Sequence, residues 1–230
     1  MKLVEREYGI EVDIKENIVS IIVLEDVKLR LPLINELFSQ TSGKEGNWLL
    51  FENDKSFDLG KKVELILEPL TLTLNNKKVK TKLYQDIKTI AQDYCFSQGL
   101  EVHSQICNYL ENMLDKLPYP VKYDEDWDVS EILKAYNVEL VEEYDNIYEK
   151  LYNYIKLVNT VCGTDIFIMV NIKQYLTDDQ ITELYKMAAY GKIQLVLIEF
   201  SINNIRDCEE LYILDLSLIH ISEPTRLLSI

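Results

Sequence analysis

The sequence predicts an α/β head interrupted by a long helical insertion, and three features predict it. Residues 18–24 read Ile-Val-Ser-Ile-Ile-Val-Leu, a near-continuous apolar run rich in β-branched residues, the pattern of a strand covered on both faces. Residues 166–170 and 193–200 repeat that pattern near the other end of the chain. Between these blocks the apolar residues fall at helical spacing for most of residues 83–163.

The elements follow in order. Residues 4–14 alternate loosely and suit an edge hairpin around Gly9, ahead of the central strand at 18–24. Leu29, Leu33, Ile34, Leu37 and Phe38 mark one helical face, with Pro32 placing either a helix start or a kink. A polar loop with two glycines covers 39–47, and short strands are expected at 48–51, 63–67 and 70–74 before a turn at Asn75 and Asn76. Ile87, Ile90, Ala91 and Tyr94, then Ile106, Leu110, Met113, Leu114 and Leu117, give a first helical arm with a weak point at Gly99 and a stop at Pro118 and Pro120. A second arm starts after Asp128, breaks near Asn137 and resumes through Tyr144, Ile147, Leu151, Ile155 and Val158 to Gly163, so two antiparallel arms are expected to bury their stripes against each other. Thr177-Asp178-Asp179-Gln180 is a capping box for a helix that Gly191 closes as a left-handed cap, and the strand at 193–200 completes a parallel crossover. The expected division is a head of residues 1–75 plus 164–215 and a leg of 76–163.

Residues 216–226 read Leu-Ser-Leu-Ile-His-Ile-Ser-Glu-Pro-Thr-Arg, which resembles the translation of a transposase sequencing adapter, so residues 216–230 are expected to stand outside the fold. A natural amphipathic tail is the alternative.

Composition narrows the function. The chain of 230 residues carries a formal charge of −15, against a generic nucleic-acid binder unless its lysines are gathered. No leader segment opens the sequence and no apolar run suits a membrane span, which leads to an expected cytoplasmic location. Four dispersed cysteines read as reduced thiols, and two histidines supply a zinc site poorly.

Three constellations bear on chemistry. A nucleotide-binding α/β protein would follow its first buried strand with a glycine-rich turn whose N–H groups approach phosphate; here Glu25 and Asp26 stand in that place and would repel it. The strand at 166–170 ends in Asn171 where an NTPase carries an acidic Mg²⁺ partner, and Glu199 is a lone carboxylate at the end of the next strand. The head therefore reads as P-loop-NTPase-like with a degenerate nucleotide site. Second, Lys77, Lys78, Lys80, Lys82 and Lys88 face only Asp86 across twelve residues, with Lys44, Lys55, Lys61 and Lys62 upstream in loops. Such lysines suit phosphate contacts without base readout, or form a solvated helix start. Third, Asp124, Glu125, Asp126, Asp128 and Glu131 offer oxygen ligands in a spacing that suits Ca²⁺ but is not an EF-hand; helix capping by Asp128 is the plain alternative. The tyrosines of the second arm suit helix packing better than base stacking.

Taken in order, Val23-Leu24-Glu25-Asp26-Val27, the lysine-bearing start of a long arm, Tyr123-Asp124-Glu125, residues 166–171, Tyr175-Leu176-Thr177-Asp178-Asp179 and residues 196–200 resemble the Csn-two family of type II-A CRISPR adaptation proteins over nearly all of residues 1–215. The resemblance implies a ring-shaped homotetramer with an α/β head and a helical leg in each subunit, binding double-stranded DNA ends inside the ring and assisting spacer acquisition beside the CRISPR integrase and effector nuclease. It implies no catalytic activity and a role for calcium at the legs. Carried over by position, Asp124 and Glu131 are the leading metal ligands, with Glu125 and Asp126 beside them, while Lys122 and Pro120 depart from places where the family often carries acids. Lys44, Lys55, Lys61, Lys62, Lys77, Lys78, Lys80 and Lys82 are the expected DNA contacts. A degenerate scaffold that binds only protein and a Mg²⁺-dependent nuclease using the acidic loop are the alternatives.

Overall fold

The computed structural model describes every residue except 54, 127, 202, 203, 215–218 and 223–230, with residues 219–222 described by backbone alone. Its chain divides into two units, Met1–Thr73 with Glu143–Ile230, and Leu74–Glu142.

The first unit holds two sheets. β1 (Lys2–Glu5) and β2 (Ile10–Asp13) form the expected hairpin. Its turn uses Gly9 at φ 68°, a conformation that costs glycine little. The fully buried Glu5 carboxylate is satisfied by that same turn, accepting from the N–H groups of Glu7 and Tyr8 at 3.1 and 2.7 Å. β4 (Trp48–Glu52) and β5 (Lys55–Phe57) extend the hairpin into an antiparallel sheet of order β2-β1-β4-β5.

The second sheet has the order β10-β9-β3-β8-β7-β6. β3 (Val19–Leu24) is buried at every position and lies parallel to β8 (Gln194–Glu199) on one side and β9 (Glu209–Leu214) on the other. β7 (Ile166–Val170) and β6 (Val63–Ile66) continue the parallel run. β10 (Ile219–Ser222) pairs antiparallel with β9 at the open edge. The expectation that all of 216–230 stands apart is corrected for these four residues, which join the edge; 216–218 and 223–230 lie outside the described residues.

Alternation decides which helices cover which face. Ile22, Leu24, Val196 and Ile198 share one buried cluster with Leu33 and Leu37 of α1 (Val27–Thr41) and with Leu3, Val12 and Leu50 of the small sheet. α1 thus joins the two sheets, and the short α2 (Leu59–Lys62) contacts it. Ile21, Phe167 and Leu197 point to the opposite face by the same period of two. There Tyr154 of α6 (Ile147–Cys162) donates to Glu64 at 2.6 Å, and Tyr185 of α7 (Asp178–Gly191) donates to Glu209 at 2.7 Å. Helices on both faces of a mostly parallel sheet make the head α/β, as the sequence predicts.

The second unit is helical. Asn76 caps α3 (Lys77–Tyr94), which is followed after Cys95 by α4 (Phe96–Leu114), and α5 (Val129–Ala135) packs against α3 through the Tyr84 hydroxyl, which donates to the Leu133 carbonyl. Asn75 fastens the unit's two ends, bonding Leu140 in both directions at 2.8 and 2.9 Å. α4 buries none of its 19 residues.

Several expectations need correction. α6 is a head helix, so residues 143–163 belong with the sheet and the two long arms do not form; Leu151, Ile155 and Val158 are fully buried because that stripe faces strands. The strand expected at 70–74 is a 3₁₀ turn over Pro69–Thr71, because Pro69 fixes φ and supplies no donor to a ladder. The helical break falls at Cys95, leaving Gly99 inside α4. Lys192, at φ 53°, takes the left-handed position expected of Gly191. The Thr177–Gln180 capping box is present in both directions.

The placement of α6 is testable. Leu151→Ala should lower stability by about 2–5 kcal/mol in chemical denaturation; a loss below about 0.5 kcal/mol, the range of surface substitutions, would mean that this stripe faces solvent.

Candidate functional site

The carboxyl end of a parallel sheet is where an α/β protein holds its ligand, and here the part of that crevice beside β3 and α1 is closed by the chain itself, while an open cleft lined by Lys173, Thr177, Asp178, Ser201 and Arg206 remains beyond β7 and β8. Asp26 caps α1, its Oδ1 accepting from the Lys28 N–H at 2.9 Å, so a carboxylate already occupies the helix end that phosphate would take. Arg30 then reaches back from α1. Its Nε donates to the Leu24 carbonyl at 2.8 Å, and its Nη2 donates to the carbonyls of Glu25 and Phe200 at 3.1 and 3.0 Å. The guanidinium carbon lies 4.6 Å from the Phe200 ring centroid, within cation–π range. The ends of β3 and β8 are therefore tied together across the place where a nucleotide would lie. Asn171 serves the neighbouring strand end, accepting from the Phe200 N–H at 3.1 Å while its own N–H donates to the Ile198 carbonyl.

Glu199 is 4% exposed and lines an enclosed space too small for a substrate, with Ile21, Val23, Lys173, Ile205, Glu209 and Leu211 around it. Burial pushes its carboxyl up to about 7, with the nearby Glu209 carboxylate adding to the shift and the Lys173 N–H, 3.3 Å away, opposing it. The Lys173 ammonium also opposes the shift, although it pairs with Glu209 at 2.7 Å; Glu209 in turn accepts from the Tyr185 hydroxyl and the Arg206 N–H. Burial and that carboxylate push the Tyr185 phenol far up. This satisfied network under α7 is structural, and sequence reading found only its Glu199 member; the partners lie on separate elements, and no local spacing announces them.

The expected DNA-contacting lysines fall into two sets. In the head, Lys44 and Lys55 are exposed, Lys61 stands 3.8 Å from Asp58, and Lys62 stands 3.6 Å from Asp165. Lys77, Lys78, Lys80 and Lys82 are brought together on the first two turns of α3, where no acidic residue occupies the first turn. Lys80 pairs with Glu139. Lys77 and Lys82 are exposed and, among the described residues, have no ion-pair partner. Lys78 and Lys82 are one turn apart, so both amines extend over the same stretch of helix surface.

The acidic loop is arranged differently from the expected metal shell. Asp124, Glu125 and Asp126 are exposed, and the Asp124 carboxylate accepts from the Asp126 N–H at 3.1 Å. Glu131 lies in the first turn of α5 and pairs with Lys134 at 2.9 Å. Asp128 caps α5 and meets Lys88 at 3.3 Å; the Ser130 N–H and hydroxyl, then Lys88, hold its carboxyl below the usual range. Among the described residues no group of three or more His, Cys, Asp or Glu side chains is close enough to hold a metal ion. Asp124, Glu125, Asp126 and Glu131 do not form such a group among the described residues. No helix among the described residues is long and apolar enough to cross a membrane.

Residues 40–218 match the family described as CRISPR-associated protein (Cas_Csn2). Among solved structures, the chain is similar to CbiO1 from Clostridium perfringens, part of the CbiONQ ABC transporter complex, at 13% identity and TM-score 0.49 over 96% of this chain and 86% of that one. It is also similar to an ATP-binding cassette of an ABC transporter in its ADP conformation, at 13% identity and TM-score 0.47 over 95% and 88%. A further likeness is to a putative ABC transporter ATP-binding protein from Pyrococcus furiosus, at 11% identity and TM-score 0.43 over 92% and 97%. At such scores these likenesses carry no weight, and the α/β assignment stands on the strand order.

The Glu199 environment predicts a pH dependence. Below about 4.5 the carboxyl is protonated in the folded and unfolded chain alike. Between there and about 7 only the unfolded chain ionises, so stability falls as pH rises, and above 7 the full penalty is present. Glu199→Gln should therefore change stability little at pH 4 and raise it by about 1–3 kcal/mol at pH 8, read by denaturant unfolding at both values; a variant less stable at pH 8 would contradict the assignment.

Proposed function

The chain belongs to the Cas_Csn2 family of CRISPR-associated proteins, and from that premise we propose that it is a non-catalytic, sequence-independent binder of double-stranded DNA ends that assists spacer acquisition as a closed homotetramer. The observation that carries the DNA reading is the lysine group on the first two turns of α3, with Lys77 and Lys82 exposed and unpaired among the described residues. Lysine is a strongly hydrated point charge on a flexible stem, suited to neutralising phosphates and poorly suited to reading bases. A chain of net charge −15 repels DNA at long range, so such a group acts only where several copies present their amines to one duplex. Self-association is supported by α4, which buries no residue although Phe96, Leu100, Ile106, Tyr109 and Met113 are each at least 39% exposed. The closed crevice beside β3 supports a role without nucleotide chemistry.

The proposal includes a cytoplasmic setting and contact with the CRISPR integrase and effector nuclease, the proteins that act on the same DNA. Calcium is given no step in it, because the loop acids do not converge in one chain; the nuclease alternative lacks a supporting geometry for the same reason. An isolated chain is expected to bind Ca²⁺ no more tightly than about 1 mM in calorimetry, and submicromolar binding abolished by Asp124→Asn would restore the loop as a site.

The DNA reading is tested by fluorescence anisotropy with linear duplexes of unrelated sequence, alongside light scattering. The expected particle has four times the 27.0 kDa chain mass. Affinity should be equal across sequences and fall steeply with salt. Combined Lys77→Glu, Lys78→Glu and Lys82→Glu should weaken binding at least tenfold at low salt and lower the log–log salt slope by about 0.9 for each phosphate no longer neutralised. Unchanged affinity in that variant, or strong preference for one sequence, would overturn the proposal.

A further inference from the structure

Four lysines crowd the start of α3, and the chain returns two carboxylates to the same place. Lys77, Lys78, Lys80 and Lys82 fall on the arc of the helix that faces away from Val79, which is 1% exposed. Cations at a helix start add to the positive end of its macrodipole, and α3 carries no acidic residue in its first turn to offset them. The offset comes from residues 138–142, Val-Glu-Leu-Val-Glu, which pass beside that end. The Glu142 Oε1 accepts from the Asn75 backbone N–H at 3.2 Å and from its Nδ2 at 2.8 Å, next to the Asn76 cap. Glu139 pairs with Lys80, and the hydrogen bond from that ammonium holds the Glu139 carboxyl below the usual carboxylate range. Both carboxylates stand where a helix start favours an anion. None of residues 138–142 is buried, and Val141 is 78% exposed, so polar bonds to Asn75 and Lys80 hold the segment down more than apolar packing does.

Resting on the DNA reading above, we propose that residues 138–142 are an internal competitor for the DNA backbone: Glu139 occupies Lys80, Glu142 occupies the end of α3, and a bound phosphate displaces Glu139. The exchange is feasible because the Lys80–Glu139 pair is partly exposed to water and therefore weak. A duplex that takes the place of the carboxylate also releases condensed counterions, which favours the exchange at low salt. Once Glu139 withdraws, Lys80 joins Lys77 and Lys82 as an available cation on the same helix start. The contact lowers affinity for every duplex alike, so it sets the strength of binding and not a sequence preference.

A linear duplex is the probe, titrated against the full-length chain by fluorescence anisotropy. Glu139→Gln should tighten binding about threefold or more at low salt and steepen the log–log salt slope by about 0.9 for each Lys80 that gains a phosphate. Glu142→Gln removes the charge but keeps an acceptor oxygen for Asn75, and should tighten binding in the same direction; a gain of affinity is not what loss of structure produces. Two controls separate displacement from a change in net charge. Glu183→Gln removes an acid paired with Lys186 on α7 and should leave affinity unchanged. Glu139→Gln made together with Lys80→Gln should gain nothing over Lys80→Gln alone. An equal gain from Glu183→Gln, or a gain that survives Lys80→Gln, would overturn the competitor. Unchanged affinity in Glu139→Gln, while the combined Lys77, Lys78 and Lys82 variant still weakens binding, would overturn it and leave the DNA reading standing. Unchanged affinity in that combined variant would overturn both.

Discussion

One side chain, Arg30, sets the character of the head. Its guanidinium fastens the carboxyl ends of β3 and β8 through three backbone carbonyls and lies over Phe200. Hydrogen bonds from a charged donor contribute about 1.5–3 kcal/mol each when partly shielded from water. They also fix the path of the next element. With β3 pinned, α1 leaves the sheet at Asp26 and carries Leu33 and Leu37 into the cluster that joins both sheets. Arg30 fills the space beside this helix start, and the Asp26 carboxylate takes the Lys28 N–H, a backbone donor that a phosphate would need. Closure of the crevice beside β3 and integrity of the core are thus one arrangement, distinct from the lysine-bearing and apolar surfaces elsewhere on the chain.

Those surfaces are electrostatically economical. Three of the eight lysines considered for DNA contact are seen beside an acid: Lys62 near Asp165, Lys80 near Glu139, Lys61 near Asp58. Exposed pairs of this kind contribute about 0–1 kcal/mol each, so exchanging a carboxylate partner for a phosphate costs little and releases counterions from DNA. An acidic chain can thereby hold its cations in reserve without attracting nucleic acid to its whole surface. α4 complements this with apolar surface that a single chain leaves uncovered.

Legibility from sequence followed the range of the interaction. Strands buried on both faces announced themselves by unbroken β-branched runs, as at 18–24 and 166–170, and the Thr177–Gln180 capping box is a purely local signal that the structure contains. The missing glycine turn was legible too, because its replacement, Glu25-Asp26, is contiguous. Periodicity could identify α6 as amphipathic but not say which surface receives its stripe; a helical arm and the sheet offer the same apolar partner. The small antiparallel sheet depends on pairing of β1 with β4, across more than forty residues, and no short window contains that information. Lys173, Tyr185 and Glu209 meet only after three elements are stacked. In the acidic loop, density of carboxylates in the sequence does not give their arrangement: Asp124 accepts from the Asp126 N–H, and Glu131 pairs with Lys134.

With Arg30 and the Asp26 cap in place, the crevice beside β3 should not admit a nucleotide. Titrating the full-length chain with a fluorescent ATP analogue in the presence of Mg²⁺ tests it most directly. No saturable binding up to about 1 mM and no hydrolysis are expected; a dissociation constant near 1 μM, or about 8 kcal/mol of binding free energy, would show the crevice open, and still more so if Arg30→Ala abolished that binding.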